Sequence, residues 1–368
     1  MKKVKIGIVG CGSISGIYLK NLTSLYKEVE IAGVCDLIES RADYAVETYK
    51  LPKKYADMHE LFADPEVDIV LNITRAYEHF DVSMAAIQAG KHVYTEKPLA
   101  TTFEDGLKLV EAAKQKNVRI GGAPDTFLGA GIQTCRKMIE DGCIGKPLAA
   151  TAFMTSNGME GWHPDPEGFY KVGGGPMLDM GPYYVTALIN LLGAVEYTAG
   201  ISKIGFPERV MTSQAKFGGV IKVETPTNIM GVLQFASGVS ASLYTSFDVQ
   251  AAQLPIIEIY GSEGTLSVPD PNNFDGPIRL FRPENGSFLE VPIMLGYKEN
   301  SRGLGLADMA KAIATNRPHR ADSQQLLHAL EVMTSFNKSS DAKAFVQMQS
   351  PFQKTAPMVN RKLAGILD

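Results

Sequence analysis

Val4-Lys5-Ile6-Gly7-Ile8-Val9-Gly10-Cys11-Gly12-Ser13-Ile14-Ser15-Gly16 is the stretch from which the fold can be read. Val4–Val9 is short, mostly apolar and bounded by glycine, the pattern of a strand covered on both faces. Gly10-x-Gly12-x-x-Ser15 follows at once. The first glycine permits a tight turn, and the second lets the backbone approach a pyrophosphate. The third position needs only a small residue for helix–strand packing, and serine stands there in place of the usual glycine. From Ile14 the periodicity predicts a helix whose N-terminus faces an anion. A second apolar run, Val29–Cys35, ends at Asp36.

Strand, glycine turn, helix, strand and acid in this order are what a dinucleotide site requires. Gly10, Gly12, Ser13 and Ile14 are the expected phosphate contacts. Asp36 accepts from both hydroxyls of a ribose and repels a 2′-phosphate. Arg41, further along, reads as a solvated helix charge rather than a phosphate ligand. The expected cofactor is NAD, with NADP disfavoured.

The alternation continues to residue 122. Further strands are expected at Ile69–Ile73, His92–Tyr94 and Val118–Gly121. Helices are expected at Ile14–Tyr26, Ser40–Tyr49, Glu78–Ala89 and Phe103–Lys116. Such a rhythm predicts right-handed βαβ units and a doubly wound parallel sheet. Beyond Pro124 the pattern changes. Helices are expected at Gly131–Asp141 and Pro182–Leu192, then a β-rich region from Ala194 to Val291. Within it Asn228–Phe235 and Val239–Phe247 alternate around the turn Ala236-Ser237-Gly238. Two helices follow, Leu304–Ala314 and Ser323–Asn337, and the tail from Ser350 shows no clear period. The fold expected is α/β: a Rossmann domain over 1–122, then a domain over 123–368 with a large open, mainly antiparallel or mixed sheet. The second domain is expected to bind substrate. It also has too few helices to cover both sheet faces, which predicts a homodimer or homotetramer.

Bulk properties narrow the function classes. The 368 residues carry a net charge of −4, which argues against nucleic-acid binding. No apolar run approaches the ~18 residues of a membrane span. Lys2, Lys3 and Cys11 imitate a lipoprotein signal, but the apolar run between them is too short. Four cysteines without CxxC spacing fit a reducing cytoplasm, and six histidines without an HxH or HxxxH pair predict no metal site.

Two further motifs carry chemistry. Glu96-Lys97-Pro98 follows the strand His92–Tyr94, at the carboxyl edge where open α/β sheets bind ligands. Gly173-Gly174-Gly175-Pro176-Met177-Leu178-Asp179 precedes Tyr183. Oxidising a secondary alcohol sends a hydride to the nicotinamide and a proton to a base within hydrogen-bond reach. Lys97 and Tyr183 are the candidate proton carriers, since a positive nicotinamide eases proton loss from both. Asp179 orients the hydroxyl or the lysine. On one helix Asp179 and Tyr183 would be i, i+4 and share a face.

The chain resembles the glucose–fructose oxidoreductase/inositol dehydrogenase (Gfo/Idh/MocA) family. The resemblance rests on Gly10-Cys11-Gly12, on the string from Ala89 through Gly90-Lys91-His92 to Glu96-Lys97-Pro98, on Gly173-Gly174-Gly175 with Asp179, and on Tyr260-Gly261-Ser262-Glu263-Gly264-Thr265-Leu266. It implies a Rossmann domain followed by an open-sheet α/β domain, with Lys97 as the catalytic lysine. It also implies that Asp179 opens an Asp-x-x-x-His motif, in which Tyr183 here replaces histidine. Thr74 and His79 stand at the family's Thr-Pro…His segment, with Arg75 in place of proline. Asn72, Thr74 and His79 are therefore expected near the cofactor's ribose and nicotinamide, and Glu96 on the nicotinamide ribose. Trp162, the only tryptophan, lies with His163 in a loop suited to stacking on a sugar, and Asp125 is a further substrate candidate. The implied activity is NAD-dependent hydride transfer on a sugar, inositol or related cyclic polyol. Its rivals are a redox-neutral glycoside-processing enzyme that retains NAD, and a non-catalytic nucleotide sensor.

Overall fold

The computed structural model describes residues 3–293, 296–358 and Leu367. In chain order the first elements are β1 (Val4–Val9), α1 (Ser15–Ser24), β2 (Val29–Cys35), α2 (Glu39–Tyr49), α3 (Met58–Ala63), β3 (Ile69–Asn72), α4 (His79–Gln88), β4 (His92–Thr95), α5 (Phe103–Gln115) and β5 (Ile120–Gly122). Then come α6 (Ala130–Glu140), β6 (Pro147–Thr155), α7 (Gly175–Asp179), α8 (Gly181–Leu192), β7 (Val195–Lys203), β8 (Glu208–Val210), β9 (Val220–Lys222), β10 (Asn228–Phe235) and β11 (Ser240–Ser246). The remainder are β12 (Ile257–Gly261), β13 (Thr265–Val268), β14 (Ile278–Phe281), β15 (Phe288–Val291), α9 (Leu304–Thr315), α10 (Ser323–Ala342) and β16 (Val346–Gln347).

The chain forms two compact units. The described part of the first is 3–130, 296–327 and 355–358, with Leu367; the second is 131–293 and 328–354. Beside the boundary after residue 122 expected from the alternation, this grouping adds later segments to the first unit. The reason is visible at β5. Gly121 bridges Asp322, the Gly122 N–H donates to the Ala321 carbonyl, and the Arg119 guanidinium donates to the Arg317 carbonyl. A short edge strand needs these partners, and the residues around α9 supply them.

In the first unit a five-stranded parallel sheet runs β2-β1-β3-β4-β5. Its central strands are buried, as a sheet with helices on both faces demands. Register Val9↔Cys35 sets Gly10 beside Asp36. Helix α3 was not legible from periodicity, being one turn and a half long. Its signal is a cap: Asp57 accepts from the His59 and Glu60 N–H groups, and Glu60 reaches back to the Ala56 N–H.

The second unit is built on a nine-stranded mixed sheet, β15-β14-β13-β12-β6-β11-β10-β7-β16, in which only the β11–β6 pair is parallel. Alternation decides its two faces. Ile229, Leu233, Phe235, Ala241 and Leu243 are buried, while Met230 and Val232, between them, are about half exposed. Phe336 of α10 packs on the buried face over Gly231 and Gly200, where a side chain on either glycine would collide with its ring. Thr198 and Ser335 share a 2.6 Å hydrogen bond across the same contact.

Candidate active site

The first unit shapes a nucleotide loop. Gly10 has φ 101°, and a Cβ there would lie 2.8 Å from the Ile73 carbonyl oxygen, so no other residue fits without moving the β3 loop. A Cβ on Gly12 would meet nothing within 4 Å, leaving open space over the second glycine. Ser15 donates from N–H and hydroxyl to the Gly12 carbonyl, closing the turn into α1. The Asp36 carboxylate accepts the Cys11 N–H at 2.6 Å and the Ile38 N–H at 2.7 Å. Each oxygen keeps a lone pair for a ribose hydroxyl. An open glycine, a helix start and a fixed carboxylate fit NAD. Burial pushes the Cys11 thiol up to about 12, so it stays neutral within the glycine turn.

Behind the loop, Asn72, Thr74 and His79, the expected cofactor contacts, also build the β3–α4 connection. Asn72 is fully buried. Its amide donates to the His79 carbonyl and the Ser83 hydroxyl, and its carbonyl accepts from Thr74. His79 is 1% exposed, with Nδ1 2.7 Å from the Pro98 carbonyl and Nε2 3.2 Å from the Thr74 carbonyl. Burial lowers its pKa. A neutral imidazole has one N–H, and with it on Nδ1 His79 donates to the Pro98 carbonyl and holds the Lys97-Pro98 loop. Thr74 is the most exposed of the three, and its backbone flanks Gly10.

Lys97 lies two residues past the end of β4. Glu96 Oε2 accepts the Lys97 N–H at 3.0 Å, and Oε1 accepts the Tyr18 hydroxyl at 2.7 Å. Asp125, a substrate candidate from the sequence, is held by backbone inside the first unit. It is 1% exposed, and Oδ2 accepts the Gly303 and Gly305 N–H groups at 2.9 and 3.0 Å, capping α9 from a distant loop. Burial raises its pKa to about 6.

In the second unit, Asp179 and Tyr183 do not share one helix. Pro182 has no N–H for the Leu178 carbonyl, so α7 ends at Asp179 and α8 starts at Gly181. Met180 keeps near-helical angles (φ −106°, ψ −28°), and the Tyr183 N–H donates to its carbonyl. Asp179 thus closes one turn, and Tyr183, buried, opens the next. The triple glycine has a steric cause. Gly175 has φ 84°, and a Cβ there would stand 2.8 Å from the Pro226 carbonyl oxygen.

The loop before it carries Trp162, which is 67% exposed and packs edge-on against His163, itself edge-on to Phe169. Sequence reasoning missed what fixes this loop. Buried Arg209 of β8 donates to Glu160 at 2.5 Å, to the Phe247 carbonyl at 2.7 Å and to Asp248. Glu160 also accepts from Tyr170, and Thr227 caps Asp248. Nothing local to a three-residue strand announces such an anchor.

The comparisons agree with this architecture. Residues 4–122 match the family model for the oxidoreductase family with an NAD-binding Rossmann fold, and residues 132–267 match the GFO/IDH/MocA C-terminal domain. The chain is 30% identical over 271 residues to the 1,5-anhydro-D-fructose reductase of Ensifer adhaerens, covering 71% of this chain and 74% of that one. It is 37% identical over 153 residues to an inositol 2-dehydrogenase of Salmonella typhimurium, covering 39% of this chain and 44% of the enzyme. A levoglucosan dehydrogenase solved with NADH and levoglucosan superposes with TM-score 0.79 at 20% identity, over 95% of this chain and all of that one. The chain belongs to the GFO/IDH/MocA oxidoreductase family. It is an NAD-dependent oxidoreductase acting on CH–OH groups.

Proposed function

We propose that this enzyme moves a hydride between NAD and a secondary ring alcohol, or the matching ketone, of a sugar, inositol or related cyclic polyol. The observation that carries the reading is Lys97 at the carboxyl end of a parallel strand, its backbone fixed by Glu96, in a unit whose glycine loop and Asp36 fit NAD. NAD supplies the hydride acceptor when bound. Lys97 takes the alcohol proton, while Asp179 and Tyr183 hold the hydroxyl and share that proton. Trp162 offers an exposed ring for stacking, with His163 beside it. The named relatives act on compounds of this class. A panel of anhydrosugars, aldoses, inositols and glycosides, followed by NADH absorbance, tests the reading. NADH formation with none of them, in either direction, would remove it.

Asp36 sets the cofactor preference in this proposal. NAD is expected to bind more tightly than NADP, and Asp36→Ala is expected to narrow the gap by removing both acceptor and repulsion. A titration in which the wild type prefers NADP would refute the assignment.

The second unit's sheet bears on assembly. Met230, Val232 and Ile201, on one face of it, are all about half exposed or more. An apolar sheet face of this kind normally meets another subunit. A homodimer or homotetramer is expected, and light scattering that reports a 39.9 kDa particle at micromolar protein would contradict it. The free thiols Cys11, Cys35, Cys135 and Cys143 fit a reducing cytoplasm.

A further inference from the structure

We propose that Tyr18 is a positioning residue for Lys97: its hydroxyl fixes the Glu96 carboxylate, which fixes the lysine's backbone, so that the phosphate-receiving helix and the lysine hold one geometry. The inference rests on the role given to Lys97 above. Tyr18 is fully buried on α1, which begins at the nucleotide turn. Glu96 is 8% exposed and spends one oxygen on each partner. A nearly buried carboxylate held by two donors has little freedom, and hydrogen bonds to a charged acceptor are the strong ones. Burial raises the Tyr18 pKa well above its ordinary value, so the phenol remains a donor across the working pH range.

The other side of the loop is gripped as well, by His79 on the Pro98 carbonyl. Helix α1 is itself anchored. Asn21 donates to the Asn300 and Arg302 carbonyls at 2.9 and 2.8 Å, and Tyr26 donates to the Ser301 carbonyl. The helix is therefore a fixed reference against which Glu96 can hold the loop. The plainer alternative is that Tyr18 only satisfies a buried carboxylate, which would affect stability and leave the chemistry alone.

Tyr18→Phe and Glu96→Gln, made singly and together in the full chain, separate the two. Wild-type turnover on the substrate panel comes first; its absence would count against the function and not against Tyr18. With turnover established, Tyr18→Phe is expected to lower kcat by roughly tenfold, because small misplacements of a catalytic group are costly. KM and NAD affinity by fluorescence titration should stay within about threefold. The double variant should match Glu96→Gln alone, as expected for residues acting in series.

A readout free of turnover is the rate at which trinitrobenzenesulfonate labels Lys97, followed by peptide mass spectrometry. It should change in Tyr18→Phe as the loop loosens. Wild-type kcat with wild-type labelling in Tyr18→Phe, or losses that multiply in the double variant, would overturn the proposal. If Tyr18→Phe does not fold, Glu96→Gln decides, and unchanged kcat there overturns it equally.

Discussion

Lys97→Met is expected to abolish practical turnover, with kcat falling by about 10² to 10⁴, the range for losing a general acid–base group. NAD should still bind within about tenfold, because the pyrophosphate loop and Asp36 are untouched. Methionine keeps the length and apolar stem of lysine, so the fold should tolerate it. A variant retaining most of its kcat would remove Lys97 from the mechanism. Tyr183→Phe completes the test. It keeps the buried ring and deletes only the hydroxyl, so stability should move little. If Tyr183 shares the proton, kcat falls while cofactor affinity holds. An unchanged pH–rate profile would leave the proton to Lys97 and Asp179, with Tyr183 as packing.

The second large effect is expected at Arg209. Its side chain and those of Glu160 and Asp248 are 8%, 14% and 7% exposed. Arg209→Leu would leave two enclosed carboxylates without their cation. Breaking a buried ion pair from one side costs about 3–5 kcal/mol, far more than a surface bridge. The denaturation midpoint of the second unit should drop accordingly. Acid should partly rescue the variant, since a neutral carboxyl is cheaper to bury than an unpaired carboxylate. Arg209→Lys should recover only a fraction, because an ammonium lacks the fork that serves two carboxylates and a carbonyl at once. A melting curve for Arg209→Leu within about 0.5 kcal/mol of wild type, the ordinary scale of a surface change, would show that the network is not a structural anchor. In activity, the looser Trp162 loop should raise KM for substrate and spare NAD binding.

How much the residues revealed depends on whether the cause was local. β1 and β2 are legible to the residue because each is a short, mostly apolar run with clear bounds. The nucleotide turn is legible because glycine is required there sterically. Asp179 and Tyr183 were placed on one helix by spacing alone. Pro182, in plain sight between them, carries the information that the helix must break. Polar residues beside a binding loop, such as Asn72, His79 and Asp125, read as ligand contacts, and the structural hydrogen bonds they also make are less legible. The partners of Asp125, Gly303 and Gly305, lie 178 and 180 positions along the chain, too far for spacing to reveal, whereas those of Asn72 and His79 are local. Tyr18 and Arg209 were invisible for the same reason. The Tyr18 partner is 78 positions away, and those of Arg209 are 39 and 49.

The capping of α9 by Asp125 has a consequence for biosynthesis. A ribosome delivers β1 to β5 early, yet the edge of β5 and the Asp125 carboxylate find their partners only when residues 303–322 emerge. Until then a charged group destined for the interior and a short strand edge stay uncovered. Contacts so distant in sequence form late. The nascent nucleotide unit is therefore expected to wait, protease-sensitive and in need of a holding chaperone, while the whole second sheet is synthesised.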